Sequence, residues 1–490
     1  MDAPAFRAMG HRMVDLIADY WDQVERHPVL SKVAPGDVLA ALPPSAPSHG
    51  EFDPARPEAF WDALSRDIDR VIMPGLTHWQ HPGFFAFFSA NISGPSVLAD
   101  MLCAGLGVQG MLWATSPACT ELEQRMLDWL GEAIGLPERF LFRSGKPGGG
   151  VIAGTASEST LVSMLAARAR ARTLGHQGEL VAYASDQAHS SVIKAAMIAG
   201  IASSPADVAH VRRIAVDEGC RLRVDELERA MRADLAASRT PFFVAATVGT
   251  TGVTAVDPVK DIGLAAARLP ARPWVHVDAA HSGAACVCPE MRWMLEGVDL
   301  VDSFCFNPHK WLLVNFDCGC LWVADRRPLL DALSITPEYL RNAASDSGSV
   351  VDYRDWQVPL GRRFRSLKLW FVMRAYGLDG LRAYVREHLR LAEIFESLVR
   401  SDDRFEVVAP RTVNLVCLRL RRGGDAANRA LMDAVNATGR AYLTHTTLPA
   451  GHRDAPGALV LRVAVSGTLT RERHVLELWD LLRTHATLPA

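Results

Sequence analysis

The chain has 490 residues, 49% of them hydrophobic and 22% charged, with a formal net charge of -3. That balance excludes a disordered chain and a protein drawn to nucleic acid by its net charge. Nine Cys in so long a chain do not form a secreted disulfide framework, and the opening Met1-Asp2-Ala3-Pro4 carries no apolar signal segment. The expectation is a cytoplasmic protein with no nucleic-acid and no membrane partner.

In chain order, Phe6, Met9, Met13, Ile17 and Trp21 recur at helical spacing and predict an amphipathic helix over residues 5–30. A Pro-rich linker at 41–47 and more helix through Ile72 follow. From Pro82 to Thr120 the only charged residue is Asp100. Gly94-Pro95, Gly105, Gly107 and Ser116-Pro117 interrupt this stretch too often for a membrane span of about 20 residues. It is expected to be deeply buried protein at a subunit or active-site interface. Ser116-Pro117 opens a helix over 119–134. Gly105, Gly107 and Gly110 match G-x-G-x-x-G, but no strand precedes them and no clear helix follows, so a dinucleotide site is set aside.

Gly148-Gly149-Gly150, ahead of Thr155-Ala156-Ser157 and a helix over 159–173, suits an anion cradle. A glycine turn with ordinary helix capping accounts for the same residues. Strands are predicted at 180–184, 242–247, 274–277, 303–306 and 319–323, with helices such as 224–236 among them. The alternation predicts an α/β fold with a mostly parallel sheet. Long helices at 365–377 and 380–400 lead to a small α+β end, with strands at 412–419 and 458–465.

Lys310 carries the chemistry. Between Asp302 and Asp317 it is the only formally charged side chain. Desolvation of an apolar lysine lowers its pKa, and a neutral amine is the nucleophile for a Schiff base; a snorkelling core lysine is the bland alternative. Asp278 ends an apolar strand where α/β sheets present ligand groups, and a buried carboxylate there needs a cation such as a protonated pyridine nitrogen. His189 follows another strand and offers a flat ring for stacking, or else a helix cap. Phosphate cup, His189, Asp278 and Lys310, in that order, describe a pyridoxal 5'-phosphate site. Cys286, Cys288, Cys305, Cys318 and Cys320 cluster in sequence but lack a C-x-x-C pair or a nearby His pair, so they are expected in the core and no metal is expected.

Thr77-His78-Trp79 and the blocks 116–123, 185–191, 276–280, 307–317 and 352–369 resemble the group II pyridoxal-phosphate decarboxylases, most closely the aromatic L-amino-acid decarboxylases. The resemblance covers essentially the whole chain. It implies the aspartate-aminotransferase-like fold (fold type I) in a homodimer with interfacial active sites. Residues 1–92 would be a helical segment packed on the partner, 93–367 the large cofactor domain, and 368–490 the small domain. Lys310 would bond the cofactor, Asp278 would hold its ring nitrogen protonated, and His189 would stack on the ring. Ala156, Ser157, Asn307 and His309 would surround the phosphate, with Thr251, Ala280, Phe316 and Gly361 also against the cofactor. Tyr353, on a mobile loop over 336–356 that reaches the partner's site, would protonate the carbon that has lost CO2.

The substrate wall implied by the resemblance is Trp79, Phe87, Phe88, Ala90, Gln109 and Met111, joined by His189, His309 and Gly361. The activity implied is decarboxylation of aromatic L-amino acids (tryptophan, phenylalanine, 5-hydroxytryptophan, tyrosine or DOPA) to the arylalkylamine and CO2. The alternative is an aromatic aldehyde synthase, which members with Phe at the loop tyrosine or Asn at the stacking histidine tend to be. Ala90 and Gly361 favour tryptophan or phenylalanine over DOPA.

Overall fold

The computed structural model describes residues 1–176, 178–335, 343–346, 349–449, 452 and 457–486. Helices of eight residues or more are numbered below. The first, α1 (Ala3–Gln23), starts where Asp2 accepts a hydrogen bond from the Ala5 amide at 3.0 Å. It stops short of the expected 30, because Val24–Arg26 tightens into a 3-10 turn. It buries only Ala5. After α2 (Pro57–Asp67), α3 (Gly94–Leu106) is capped by Ser93 and closed by Gly107 at φ 61°. The apolar stretch is therefore only half as expected. Phe84, Phe85 and Ala86 are buried, whereas Leu98, Met101, Leu102 and Leu106 stand 44–53% exposed on α3. Ala99 and Cys103 take the inward face, so the outward face has no cover among the described residues. Next comes α4 (Pro117–Ile134), capped by Ser116 and ended by Gly135 in the left-handed region.

The large sheet follows. Its strands are β1 (Gly149–Ala153), β2 (Leu180–Ser185), β3 (Val211–Ile214), β4 (Thr240–Thr247), β5 (Trp274–Asp278), β6 (Ser303–Phe306) and β7 (Gly319–Val323). Between them lie α5 (Ala156–Thr173), α6 (Ser191–Ile198), α7 (Val224–Ala236) and α8 (Val259–Ala267). Strand order is β1-β7-β6-β5-β4-β2-β3. Neighbours from β3 to β6 run parallel, and β7 is antiparallel to both β6 and β1. The central strands β5, β6 and β7 are buried along their whole length, as near-continuous apolar runs covered on both faces must be.

The glycine triplet departs from its expected role. Gly149 and Gly150 open β1, and a Cβ at Gly148 would lie 1.8 Å from the Arg139 carbonyl oxygen, one at Gly150 2.7 Å from that of Leu321. These glycines let backbones approach; they do not cradle an anion.

Beyond the sheet, α9 (Ser366–Arg400) merges the two expected helices across a kink at Gly377, where φ is 59° and ψ 178°. A second sheet contains β8 (Phe405–Val407), β9 (Leu415–Leu420), β10 (Thr444–Thr447) and β11 (Leu459–Ala464), all antiparallel in the order β10-β11-β9-β8. Helices α10 (Gly424–Ala437) and α11 (Glu472–His485) complete this end, whose core includes Phe395, Leu418, Leu461 and Trp479. Among the described residues no helix is long and apolar enough to cross a membrane.

Candidate active site

The carboxyl ends of the parallel strands open on one cavity of about 220 Å³. Lys310 reaches it from the short turn Pro308–Trp311 after β6. Burial pulls its pKa below the usual lysine range, against the opposing charge of Asp278. Asp278, the last residue of β5, is 5% exposed; its Oδ1 accepts a hydrogen bond from the Ala280 amide at 3.0 Å. Among the described residues this carboxylate forms no close ion pair; its charge acts through space on Lys310 and His189, and it is free to meet a cationic ligand group. His189, after β2, accepts the Ser191 amide at Nδ1 (3.1 Å), which leaves the hydrogen on Nε2. Burial lowers its pKa, so the ring facing the cavity is neutral. Thr247, Thr251 and Ala280 complete this side.

The anion end is built by α5. Thr155 caps it, accepting the Glu158 amide at 3.4 Å, and the Gly154 amide donates to the Glu158 carboxylate at 2.8 Å. Ala156 and Ser157 open the helix into the cavity, where its unpaired amides and dipole favour a phosphate. The cradle is thus Thr155–Ser157, downstream of the glycines. Opposite, Asn307 is buried in the cavity wall with its side-chain oxygen unpartnered; the N–H of the same amide is the end that can donate to a phosphate. His309 accepts the Cys318 amide at Nδ1 (2.9 Å) and burial pushes its pKa down to about 4; Phe316 packs at its edge, ring centroids 4.9 Å apart.

Two functional neighbours escape sequence reasoning. His281 is stacked between Phe88 (centroids 3.8 Å) and Trp311 (5.0 Å), and its Nε2 bonds Asn414 Oδ1 at 2.8 Å. This clamps Phe88, a cavity wall, between the two sheets' territories. Arg462, on β11, is 3% exposed, and its guanidinium lies 5.2 Å from the Phe88 ring centroid. Among the described residues it donates only to neutral oxygens, those of Gly252 (3.0 Å), Thr444 (3.2 Å) and Phe87 (3.5 Å). A lone charge in Leu459-Val460-Leu461-Arg462-Val463 is the same signal that exposes Lys310.

Tyr353 requires a correction. It sits in the 3-10 turn Tyr353–Trp356, fully buried, with its ring 4.7 Å from the Arg362 guanidinium and edge-on to Trp356. It does not line the cavity, and its hydroxyl is enclosed in the core. Residues 336–342 and 347–348 of the expected mobile loop lie outside the described residues. Of the expected substrate wall, Phe88, His189 and His309 line the cavity, and Trp79, Phe87, Ala90, Gln109, Met111 and Gly361 do not. Trp79 and Phe87 stack on each other at 5.7 Å and stand 39% and 46% exposed. Gln109 and Gly361 are exposed neighbours. Ala90 accepts from the Gln80 amide, and the Met111 carbonyl from the Arg354 amide.

Among the described residues no group of three or more His, Cys, Asp or Glu is placed to hold a metal ion, and all nine cysteines are buried and free. The donor set fits pyridoxal 5'-phosphate instead: an amine of lowered pKa for its aldehyde, an unpaired buried carboxylate for its ring nitrogen, and a helix N-terminus with Asn307 for its phosphate.

Comparison with known proteins agrees. A family model, the pyridoxal-dependent decarboxylase conserved domain, matches residues 35–421. The chain is 48% identical to tryptophan decarboxylase 2 of Oryza sativa subsp. japonica, covering 99% of this chain and 95% of that protein. It is 46% identical to phenylacetaldehyde synthase of Arabidopsis thaliana, covering 99% and 97%. The solved Oryza sativa TDC with PLP and tryptamine superposes with a TM-score of 0.92 at 43% identity, over 99% of this chain and 98% of that one. Fold, cavity chemistry and kinship converge: the chain belongs to the pyridoxal-dependent decarboxylases, enzymes of fold type I that work with pyridoxal 5'-phosphate.

Proposed function

We propose that this enzyme decarboxylates aromatic L-amino acids, releasing the arylalkylamine and CO2. The observation that carries the reading is an aromatic cavity wall, Phe88, flanked by two buried cations: the ring lies 5.6 Å from Nζ of Lys310, which lines the cavity, and 5.2 Å from the guanidinium of Arg462, which lies beside the wall without lining the cavity. When bound, the cofactor supplies a sink for the electron pair left on Cα as CO2 departs. Lys310 would hold it through its uncharged amine, Asp278 would keep a proton on the ring nitrogen, and Ala156, Ser157, Asn307 and His309 would hold the phosphate, with His189 against the ring. Arg462, a buried cation without a carboxylate partner among the described residues, binds and orients the substrate's α-carboxylate. Phe88, fixed by His281, excludes water on the substrate side.

The proton returned to Cα needs a donor other than Tyr353. The segment 336–356 carries two tyrosines, and because the Tyr353 hydroxyl is enclosed in the core, the role passes to Tyr339, which lies outside the described residues. The active unit is a homodimer. The uncovered face of α3 and the exposed Trp79 and Phe87 support it, as does α1, which buries only Ala5 in its own subunit. Trp79, Phe87, Gln109, Met111 and Gly361 would then wall the partner's site. Gly361 leaves room for a bicyclic ring, so tryptophan and phenylalanine precede tyrosine and DOPA. The test is a panel of these amino acids with holoenzyme, reading amine, CO2, aldehyde and peroxide together. Amine and CO2 in equal amounts support the proposal; aldehyde and peroxide as main products overturn it in favour of an aldehyde synthase.

A further inference from the structure

Arg362 and Glu123 form an ion pair deep in the subunit, 4% and 2% exposed. Burial of two charges returns little net stability, so such a pair is better understood by the geometry it specifies. That geometry centres on Ile152 in β1. Because β1 is an edge strand paired only with β7, its outward amide and carbonyl lack strand partners. Glu123 accepts the Ile152 amide at 2.6 Å, and Arg362 Nη2 donates to the Ile152 carbonyl at 2.8 Å. Together the two side chains replace a neighbouring strand.

The rest of the guanidinium faces the strap 353–361. Nη1 donates to Gln357 Oε1 at 2.6 Å, and the Tyr353 ring packs 4.7 Å from Cζ. Gln357 in turn donates to the carbonyls of Pro359 (2.6 Å) and Gly361 (3.2 Å). The Arg362 main chain adds two bonds to the neighbouring wall, its amide to Gln109 Oε1 at 3.1 Å and its carbonyl from the Gly110 amide at 3.1 Å. One residue past Ala153, where β1 ends, the chain becomes the phosphate cradle, with Gly154 bonded to Glu158 and Thr155 capping α5.

We propose that Arg362 is a positioning residue that couples the seating of the strap 353–361 to the phosphate cradle at Thr155–Ser157, through the edge strand β1. With the strap seated, Gln357 and Tyr353 hold the guanidinium in the plane that serves both Glu123 and Ile152. With the strap lifted, the guanidinium has lost two of its contacts, the Ile152 carbonyl no longer has a fixed outer partner, and the cradle loosens around the phosphate. The coupling runs in both directions: a bound cofactor favours the seated strap.

The test compares wild type, Gln357→Leu, Arg362→Lys and Arg362→Met. It reads the cofactor dissociation constant, the ³¹P resonance of bound cofactor in the holoenzyme, and the Tm of the apoprotein. Gln357→Leu removes three hydrogen bonds and no charge, so it is expected to lower the apoprotein Tm and, in addition, to weaken cofactor binding about tenfold and to move the ³¹P resonance toward that of free cofactor. Arg362→Lys keeps the charge but not the fork that serves Gln357, Glu123 and Ile152, so it should weaken cofactor binding at least as much as Gln357→Leu. If Arg362→Met does not fold, the other two variants carry the test. An unchanged dissociation constant and ³¹P resonance in Gln357→Leu overturns the proposal, as does a fall in apoprotein Tm with no change in cofactor affinity.

Discussion

Arg462→Gln isolates the carboxylate-binding role most cleanly. The wild-type guanidinium is buried on β11, bonds only neutral oxygens among the described residues and sits beside the cavity wall Phe88. Gln retains a donor for one of those oxygens and removes the charge. A charge-assisted hydrogen bond contributes about 1.5–3 kcal/mol. At about 1.4 kcal/mol per tenfold, its loss lowers kcat/KM roughly 10- to 150-fold. The assay pairs two ligands that differ only in the group at issue: tryptophan as substrate, and tryptamine, which has no carboxylate, as competitive inhibitor. Tryptophan should lose kcat/KM by that factor while the inhibition constant for tryptamine stays within about twofold. If both ligands weaken equally, Arg462 shapes the cavity and does not bind the carboxylate.

Three further outcomes are expected. Tyr339→Phe should slow amine release at least 100-fold and raise aldehyde, whereas Tyr353→Phe, which removes a buried hydroxyl that has no partner among the described residues, should keep or raise Tm and leave the amine-to-aldehyde ratio unchanged; the reverse pattern would restore Tyr353 as the donor. A Cβ at Gly361 would lie 3.5 Å from Gln109 Oε1, ordinary contact, so Gly361→Ser should fold normally and shift kcat/KM from tryptophan toward tyrosine. An unchanged ratio would show that this glycine is not what makes room for the indole. Acid stability depends on buried neutral histidines. His276, His309 and His388 have pKa values lowered by burial from 6.5 to about 4. Below pH 6.5 the unfolded chain binds protons that the folded chain cannot, so stability is full above 6.5 and is lost as pH falls toward 4. The apoprotein Tm should be flat above pH 6.5 and drop by about 5–10 °C by pH 4.5. A flat Tm across that window would contradict the burial argument.

The sequence made β2 and β4–β7 legible because each is a short apolar run, and Lys310 legible because it is the lone charge in one. It concealed β1, since a strand that opens with two glycines, just after a third, looks like a turn until backbones are seen packing against Gly148 and Gly150. It concealed β3 as well, whose Arg212 is neutralised by Asp234 on α7, a tertiary contact. Arg462 was visible as a pattern but not as part of the site, because β11 belongs to the other sheet and only folding brings it beside Phe88. Tyr353 is buried against Arg362 and Trp356, a tertiary contact that spacing within its segment does not encode. The exposed face of α3 is apolar in sequence and uncovered among the described residues; a linear pattern marks it for burial without saying by which chain.

The central claim is that Lys310 holds the cofactor and that the cavity around it removes CO2 from an aromatic amino acid. The most direct measurement supplies carboxyl-labelled L-tryptophan to holoenzyme and to Lys310→Ala, counting labelled CO2 against tryptamine, with borohydride reduction to detect cofactor fixed to the protein. The account predicts CO2 and tryptamine in a one-to-one ratio from wild type, with cofactor fixed at Lys310, and neither product nor fixed cofactor from Lys310→Ala. Labelled CO2 released by Lys310→Ala at a rate near wild type, or cofactor fixed elsewhere on the chain, would contradict it.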